Sequence, residues 1–200
     1  YSVANSCRFN AADEPYLHYT PDAGDVDKWT MSMWIKRGRI LSDLPVRLFS
    51  AVAGGGNTAI RFNADSDCLR FEEYQGGAIG YLVTNRDFRD PSAWYHLVFV
   101  WDSDNAAAGN RMRIYVNGTE ETSFSTDNQP DQDQDSLLNS NIRLDIGRHE
   151  SGNYMDGYMA EVIFCDGQAY AASDFGEFNS DSPTIWQPVD PSGLTFGTNG

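Results

Sequence analysis

The chain has 200 residues, which is enough for one large β domain or two small ones and enough to bury a core without a metal or a disulfide. Its formal net charge of −15 repels phosphate backbones, so we expect no nucleic-acid partner. No apolar run approaches the ~20 residues that span a bilayer, and we expect no membrane insertion. The charge favours solubility, with an array of divalent-cation sites as the alternative.

Three cysteines are spread along the chain, at Cys7, Cys68 and Cys165. An odd and widely spaced set is not a disulfide framework, and the absence of a C-x-x-C pair disfavours zinc. We expect buried thiols that behave as small hydrophobic side chains. A bridge between Cys7 and Cys165, in the first and last predicted strands, is the alternative.

The chain reads as a series of β-strands. Thr30–Arg37 alternates, with Met31, Met33 and Ile35 on one face. Trp94–Trp101 is apolar on both faces, which predicts a central strand covered on two sides. The other predicted strands are Ala59–Phe62, Cys68–Glu72, Met112–Val116, Ile142–Ile146 and Tyr158–Phe164.

Turns and loops separate these strands. Asn117 and Gly118 form a strong hairpin signal. Asp131–Asp135, a run of alternating Asp and Gln, predicts an exposed loop. The one helical signal is a short segment from Ser173 to Phe175. Many short strands without alternating long helices predict an all-β fold, a two-sheet antiparallel sandwich or jelly roll.

Catalytic and metal-binding motifs are weak. The histidines His18, His96 and His149 are far apart, with no zinc-binding spacing. Asp131–Asp135 resembles the opening of a calcium loop, but Ser136 stands where that loop needs glycine. We interpret the segment as a solvated loop.

Paired carboxylates are the main enzymatic option, because a retaining glycosidase needs two carboxyl groups about 5–5.5 Å apart. The neighbours Glu72 and Glu73 point to opposite faces of a strand, as do Glu120 and Glu121, and Glu161 stands alone among apolar residues. We therefore predict that the chain is not an enzyme.

Four aromatic residues are candidates for stacking on sugar rings: Trp34, Tyr74, Tyr81 and Trp101. An aromatic face offers a large contact area at a low cost in conformational entropy. Each of the four could equally be core or edge packing.

Several motifs resemble those of laminin G-like, concanavalin A-like jelly-roll domains. The resemblance covers residues 5–178 and is carried by Ser6–Asn10, Trp29–Arg37, Trp94–Val98, Arg113–Gly118 and Asp145–Arg148, and by a closing block of Asp156–Val162, Asp166–Ala169 and Ser173–Gly176. This resemblance implies a two-sheet antiparallel jelly-roll sandwich that binds carbohydrate or protein.

The resemblance also bears on metals and catalysis. Family members often hold a structural calcium ion near strand ends, and Asp13 and Asp156 match positions where a ligand would stand. The hydrolase branch of the family carries an E-x-D-x-x-E strand, which this chain lacks.

These observations predict one domain over residues 1–200, with a core at about 5–178, a C-terminal tail at 179–200 and a longer parent chain. The closing block is similar to those of tailed-phage virion proteins. We therefore expect a non-catalytic virion structural or adhesion module, able to form homo-oligomers, that binds a host-surface glycan or other virion subunits. The alternatives are a secreted carbohydrate-binding module attached to an enzyme and a divergent glycoside hydrolase.

Overall fold

A computed structural model describes residues 1–40, 44–150 and 152–200. Within these ranges the chain forms two large antiparallel sheets and one small hairpin. The predicted all-β jelly-roll sandwich is confirmed. The helices of the described ranges are 3-10 turns, at Ala11–Asp13, Ala108–Asn110, Ala172–Asp174 and Pro191–Gly193. None of them is long or apolar enough to cross a membrane.

The strands of the described chain are β1 Cys7–Phe9, β2 Leu17–Tyr19, β3 Lys28–Arg37, β4 Val46–Ala53, β5 Gly56–Phe62, β6 Cys68–Tyr74, β7 Ala78–Asp87, β8 Trp94–Asp102, β9 Met112–Val116, β10 Thr119–Glu120, β11 Phe124–Asn128, β12 Leu144–Ile146, β13 Gly157–Asp166, β14 Gly176–Phe178 and β15 Trp186–Pro188. Sheet A has the order β1-β13-β3-β8-β9-β10, and sheet B has the order β11-β7-β6-β5-β4-β12-β2. Strands β14 and β15 form the hairpin.

The local predictions agree closely with these elements. Asn117 and Gly118 have φ angles of 49° and 82°, which are the left-handed values that a tight hairpin turn between β9 and β10 requires. The acidic run Asp131–Asp135 lies in a largely exposed loop between β11 and β12. The short helix predicted from Ser173 is a 3-10 turn that starts one residue earlier, at Ala172.

The main core lies between the sheets. Met31, Met33 and Ile35 project into it from β3, as their alternation predicts. Trp101 is also fully buried there, with its ring parallel to that of Trp29 and the ring centroids 6.5 Å apart. Trp101 is therefore a core residue and has no surface to offer a sugar, which corrects its prediction as a binding residue.

A second hydrophobic cluster covers the outer face of sheet A. Val98 and Val100 of β8 contribute to it, with Tyr115 of β9, and Phe175 packs onto them from the C-terminal segment. The prediction that Trp94–Trp101 is covered on two sides is confirmed for the buried part, His96–Trp101, whereas Trp94 at the start of β8 is partly exposed. The C-terminal segment, 168–200, adds Trp186, Leu194 and Phe196 to the cluster. Within residues 179–200, the predicted tail, these three side chains pack against the domain.

The described part of the chain has no disulfide. Cys7 is exposed, whereas Cys68 and Cys165 are buried, and all three are free. Cys7 pairs with Met159 of β13, whereas Cys165 lies near the far end of that strand, opposite Thr30. Their separation along β13 rules out the alternative Cys7–Cys165 bridge.

One buried ion pair joins the two sheets. Arg37 ends β3 in sheet A, and its guanidinium donates to Asp67, in the turn between β5 and β6 of sheet B, at 2.6 Å. The same guanidinium donates to the carbonyl of Phe88 at 2.5 Å and lies over the Phe62 ring. Both charged side chains are almost completely shielded from solvent. Asp67 also pairs with Arg89 at 3.3 Å, so removal of the Asp67 charge is the change that would leave Arg37 buried without this counterion.

We expect Asp67→Asn to lower the free energy of unfolding by about 3–5 kcal/mol, because it strands the Arg37 charge in a buried position. The control is Asp87→Asn, which removes an exposed carboxylate from its ion pair with Arg89 and should cost no more than about 1 kcal/mol. Urea denaturation of both variants gives the comparison. Equal losses in the two variants would contradict the structural role of the buried pair.

Candidate functional site

The outer face of sheet A carries two adjoining depressions that share three indole rings, from Trp34 of β3, Trp94 of β8 and Trp186 of β15. We call this surface the tryptophan groove. One depression has a volume of about 480 Å³ and the other about 420 Å³. The first is also lined by residues 1–6, Ala160, Gln187 and Pro188, and the second by Arg86, Val116, Asn117, Thr119, Phe178 and Thr184.

Strand register places two of the three tryptophans. On β3, Met33 and Ile35 point into the core, so Trp34 between them points outward. Trp34 lies opposite His96 of β8 and Ala160 of β13. Trp94 precedes His96 by two residues and therefore shares its face. It is 37% exposed, which leaves part of its ring free to contact a ligand.

The C-terminal hairpin brings the third tryptophan. The Trp186 ring lies against Gly118 and Gly176 so closely that a β-carbon on either glycine would overlap it. Gly118 also has a positive φ of 82°, which side chains rarely adopt. The absence of a side chain at these two glycines therefore leaves the space that the Trp186 ring occupies against sheet A. Phe178 supports the same ring edge-on, with the centroids 5.0 Å apart.

His96 organises the floor of the groove. The rings of Trp34 and Trp186 both stack on the imidazole, with centroid distances of 4.9 Å and 6.0 Å. Trp186 Nε1 donates to His96 Nδ1 at 3.0 Å. An indole nitrogen can only donate, so Nδ1 is unprotonated and Nε2 carries the hydrogen. His96 Nε2 then donates to Ser32 Oγ at 2.9 Å.

Burial lowers the pKa of His96 to about 4. The ring is 1% exposed, so an imidazolium there would lose its hydration. Protonation of Nδ1 would also destroy its role as acceptor for Trp186. The neutral imidazole is therefore the form that holds the two tryptophan rings in place near neutral pH.

The structure separates the predicted aromatic residues. Trp34 belongs to the groove, whereas Tyr74 and Tyr81 lie on sheet B. Tyr74 is exposed, and the Tyr81 ring is covered by the guanidinium of Arg70 at 4.0 Å from its centroid. Trp94 and Trp186 were missed. The strand alternation that points Trp34 outward offered a signal for Trp94, but Trp186 lies in a segment without periodicity.

The two candidate calcium ligands do not meet in an acidic cluster. Asp13 is exposed in the first 3-10 turn and accepts a hydrogen bond from Asn10 Nδ2 at 2.7 Å. Asp156 lies against Gly38 at the start of β13. Across residues 1–40, 44–150 and 152–200, no three acidic, histidine or cysteine side chains are placed to hold a metal ion. Calcium stays a prediction, which melting curves with and without chelator would test.

The adjacent carboxylates Glu72 and Glu73 point to opposite faces, as expected. Glu72 faces outward and pairs with arginines. Glu73 points inward, where burial raises its pKa to about 7. It accepts hydrogen bonds from Thr58 Oγ1 at 2.5 Å and from Ser136 Oγ at 3.1 Å. Glu73 therefore serves packing between sheet B and the acidic loop, and the two groups do not form a catalytic pair.

Residues 13–172 match a family model described as the concanavalin A-like lectin/glucanases superfamily. No curated protein matches the sequence at a significant level. Solved structures of similar fold include three that are described next. A heptameric SAP-like pentraxin from Limulus polyphemus has a TM-score of 0.57 and 16% identity, over 83% of this chain and 77% of that one.

The second similar structure is domain 4 of AbnA, an extracellular arabinanase from Geobacillus stearothermophilus, in complex with arabinotriose. It has a TM-score of 0.54 and 11% identity, over 86% of this chain and 97% of that one. The third is the LG1-3 region of the laminin alpha2 chain, with a TM-score of 0.60 and 11% identity, over 82% of this chain and 31% of that longer one. At these identities the similarity shows the fold alone.

The low pKa of His96 predicts a pH-dependent stability. The folded-state pKa of about 4 lies below the ordinary 6.5, so the stabilisation is present above pH 6.5 and is lost as the pH falls towards 4. We expect the free-energy difference between the parent chain and His96→Gln to shrink by about 3 kcal/mol over that interval. Urea denaturation at several pH values measures it. A difference that does not change with pH would contradict a neutral, buried His96.

Proposed function

We propose that this chain, which belongs to the concanavalin A-like lectin/glucanases superfamily, works as a non-catalytic carbohydrate-binding module and holds sugar in the tryptophan groove. The observation that carries the proposal is the convergence of Trp34, Trp94 and Trp186 on one open surface. Aromatic rings offer a rigid apolar face at a low cost in conformational entropy. The C–H face of a sugar ring is a suitable partner for such a surface.

The rim of the groove supplies polar partners around this aromatic floor. Arg86 and Gln187 carry side-chain donors, and Thr119 and Thr184 carry hydroxyls that both donate and accept. Ligand sites commonly combine an apolar lining with a few polar groups that fix orientation. Sugar hydroxyls require this combination, because each buried hydroxyl needs a hydrogen-bond partner.

The similarity to domain 4 of the arabinanase supports the assignment to a binding module. That protein is described in complex with arabinotriose, and the match covers 97% of its length. A chain of this size and fold is thus sufficient for a sugar-binding unit. The absence of a same-face carboxylate pair at Glu72 and Glu73 supports a role without catalysis.

Incubation with β-glucans and arabinans should yield no reducing sugar, and its release would contradict that role.

We further propose that the module belongs to a virion, where it contacts a host-surface glycan or neighbouring subunits. The support is the closing block Asp156–Val162 and Asp166–Ala169, which is similar to those of tailed-phage virion proteins. Immunogold labelling of purified particles should place the domain on their surface. Labelling that is absent from the particle and present in a secreted enzyme would favour the alternative of a module attached to an enzyme.

Trp94→Ala should reduce the affinity for a bound oligosaccharide at least 10-fold, because loss of a stacked ring costs about 1.5 kcal/mol or more. The fold should survive, since Trp94 is one of the more exposed large hydrophobic residues. The matched control is Tyr19→Ala, which removes an exposed aromatic ring from sheet B. A glycan array identifies the ligand, and calorimetry compares the variants. Equal affinities for Trp94→Ala and Tyr19→Ala would overturn the groove as the binding site.

A further inference from the structure

Three arginines face one another across sheet B. Arg47 of β4 pairs in register with Arg61 of β5, and Arg61 pairs in register with Arg70 of β6. We call these three residues the arginine row. Neighbouring strands lie about 4.8 Å apart, and like charges placed directly opposite each other destabilise a sheet. This arrangement therefore requires a compensating negative charge.

Glu72 supplies only part of that charge. Its carboxylate pairs with Arg47 at 3.2 Å and with Arg61 at 3.8 Å, and it also contacts Arg70 closely. Among the described residues, no other carboxylate forms an ion pair with the row. Three cations thus share one anion, which leaves an excess of two positive charges. The excess is unexpected in a chain whose net charge is −15.

The row also has unused hydrogen-bond donors. Within the described ranges, the Nε atoms of Arg47, Arg61 and Arg70 are buried and lack a partner. The side chains are 9%, 15% and 24% exposed, so Arg47 is more than nine-tenths buried while the other two remain accessible. A buried donor without a partner is costly, and native proteins rarely keep several together.

The pKa values of Arg47 and of a neighbouring histidine reflect the excess positive charge of the row. Burial and the charge of Arg61 lower the pKa of Arg47 to about 10. The pKa of His149 is lowered by burial and by the nearby Arg47. Tyr81 lies beneath the Arg70 guanidinium, whose centre is 4.0 Å from the ring centroid. The ring contact holds the guanidinium of Arg70 in place beside the row.

We propose that the arginine row binds an oxyanion, a carboxylate or sulfate group, which is free in solution or carried on an acidic glycan. Guanidinium groups bind both anions through paired N–H donors. An oxyanion that contacts the accessible side chains of Arg61 and Arg70 would neutralise the excess charge. The site lies on sheet B, on the opposite side of the sandwich from the tryptophan groove. It therefore does not depend on sugar binding in the groove.

The test is calorimetric titration with sodium sulfate at constant ionic strength. Saturable binding is expected for the parent chain, with at least 10-fold weaker binding for Arg61→Gln. Arg113→Gln is the matched control, because its side chain is similarly buried at 18% exposure and its Nε also lacks a partner, but it lies in sheet A. Absence of saturable binding, or equal weakening by the two substitutions, would overturn the proposal.

Glu72→Gln separates a binding role from a purely structural one. It removes the internal anion that competes for the row, so sulfate affinity should rise at least threefold while the melting temperature without sulfate falls. A structural cluster alone would give the lower melting temperature with no gain in affinity, which would contradict the proposal. Trp94→Ala should leave sulfate binding unchanged, so failure of the groove and failure of the row are distinguishable.

A second titration distinguishes the sources of the oxyanion. Oligogalacturonate that binds at least 10-fold more tightly than sulfate, with no binding of the uncharged galactose oligomer to the row, would support a glycan-borne carboxylate. Sulfate binding without oligogalacturonate binding would support a free oxyanion. Binding of neither anion would overturn both forms of the proposal.

Discussion

Strand β8 is apolar on both faces, and this constraint determines how the rest of the chain is arranged. Its inner face fills the core between the sheets with Leu97, Phe99 and Trp101. Its outer face presents Val98 and Val100, which would otherwise stay in water. Each such side chain gains roughly 1.5–3 kcal/mol on burial. The C-terminal segment provides that burial, and the tryptophan groove forms at the edge of the covered area.

The groove is thus a product of incomplete coverage. Phe175 and Trp186 cover the middle of β8, while Trp94 at the beginning of the strand stays partly exposed. His96 lies at the boundary and is tied to Trp186 through its Nδ1 atom. The indole rings that pack on this histidine are therefore the same rings that line the proposed binding groove. The neutral imidazole of His96 thus holds the rings that line the proposed binding groove.

Much of this fold could be predicted from the sequence, since alternation and turn residues are local signals. The alternation of Met31, Met33 and Ile35 shows which side chains of β3 point into the core, so the outward position of Trp34 could also be predicted. Trp101 was misassigned because both faces of its strand are apolar, so the sequence does not show which face points into the core. Trp186 was missed for a different reason, since its position depends on the space that Gly118 and Gly176 leave for its ring. The arginine row depends on register between strands, which alternation within one strand does not reveal.

Burial shifts the pKa values of two groups in opposite directions. Burial raises the pKa of Glu73 to about 7 and lowers that of His96 to about 4. As the pH falls from 7 towards 4.5, Glu73 takes up a proton more readily in the folded chain and so adds stability, while His96 resists protonation and removes it. The two contributions overlap and largely offset each other. Taken together, these two residues therefore change the stability of the domain little as the pH falls, although each alone would make it strongly pH-dependent.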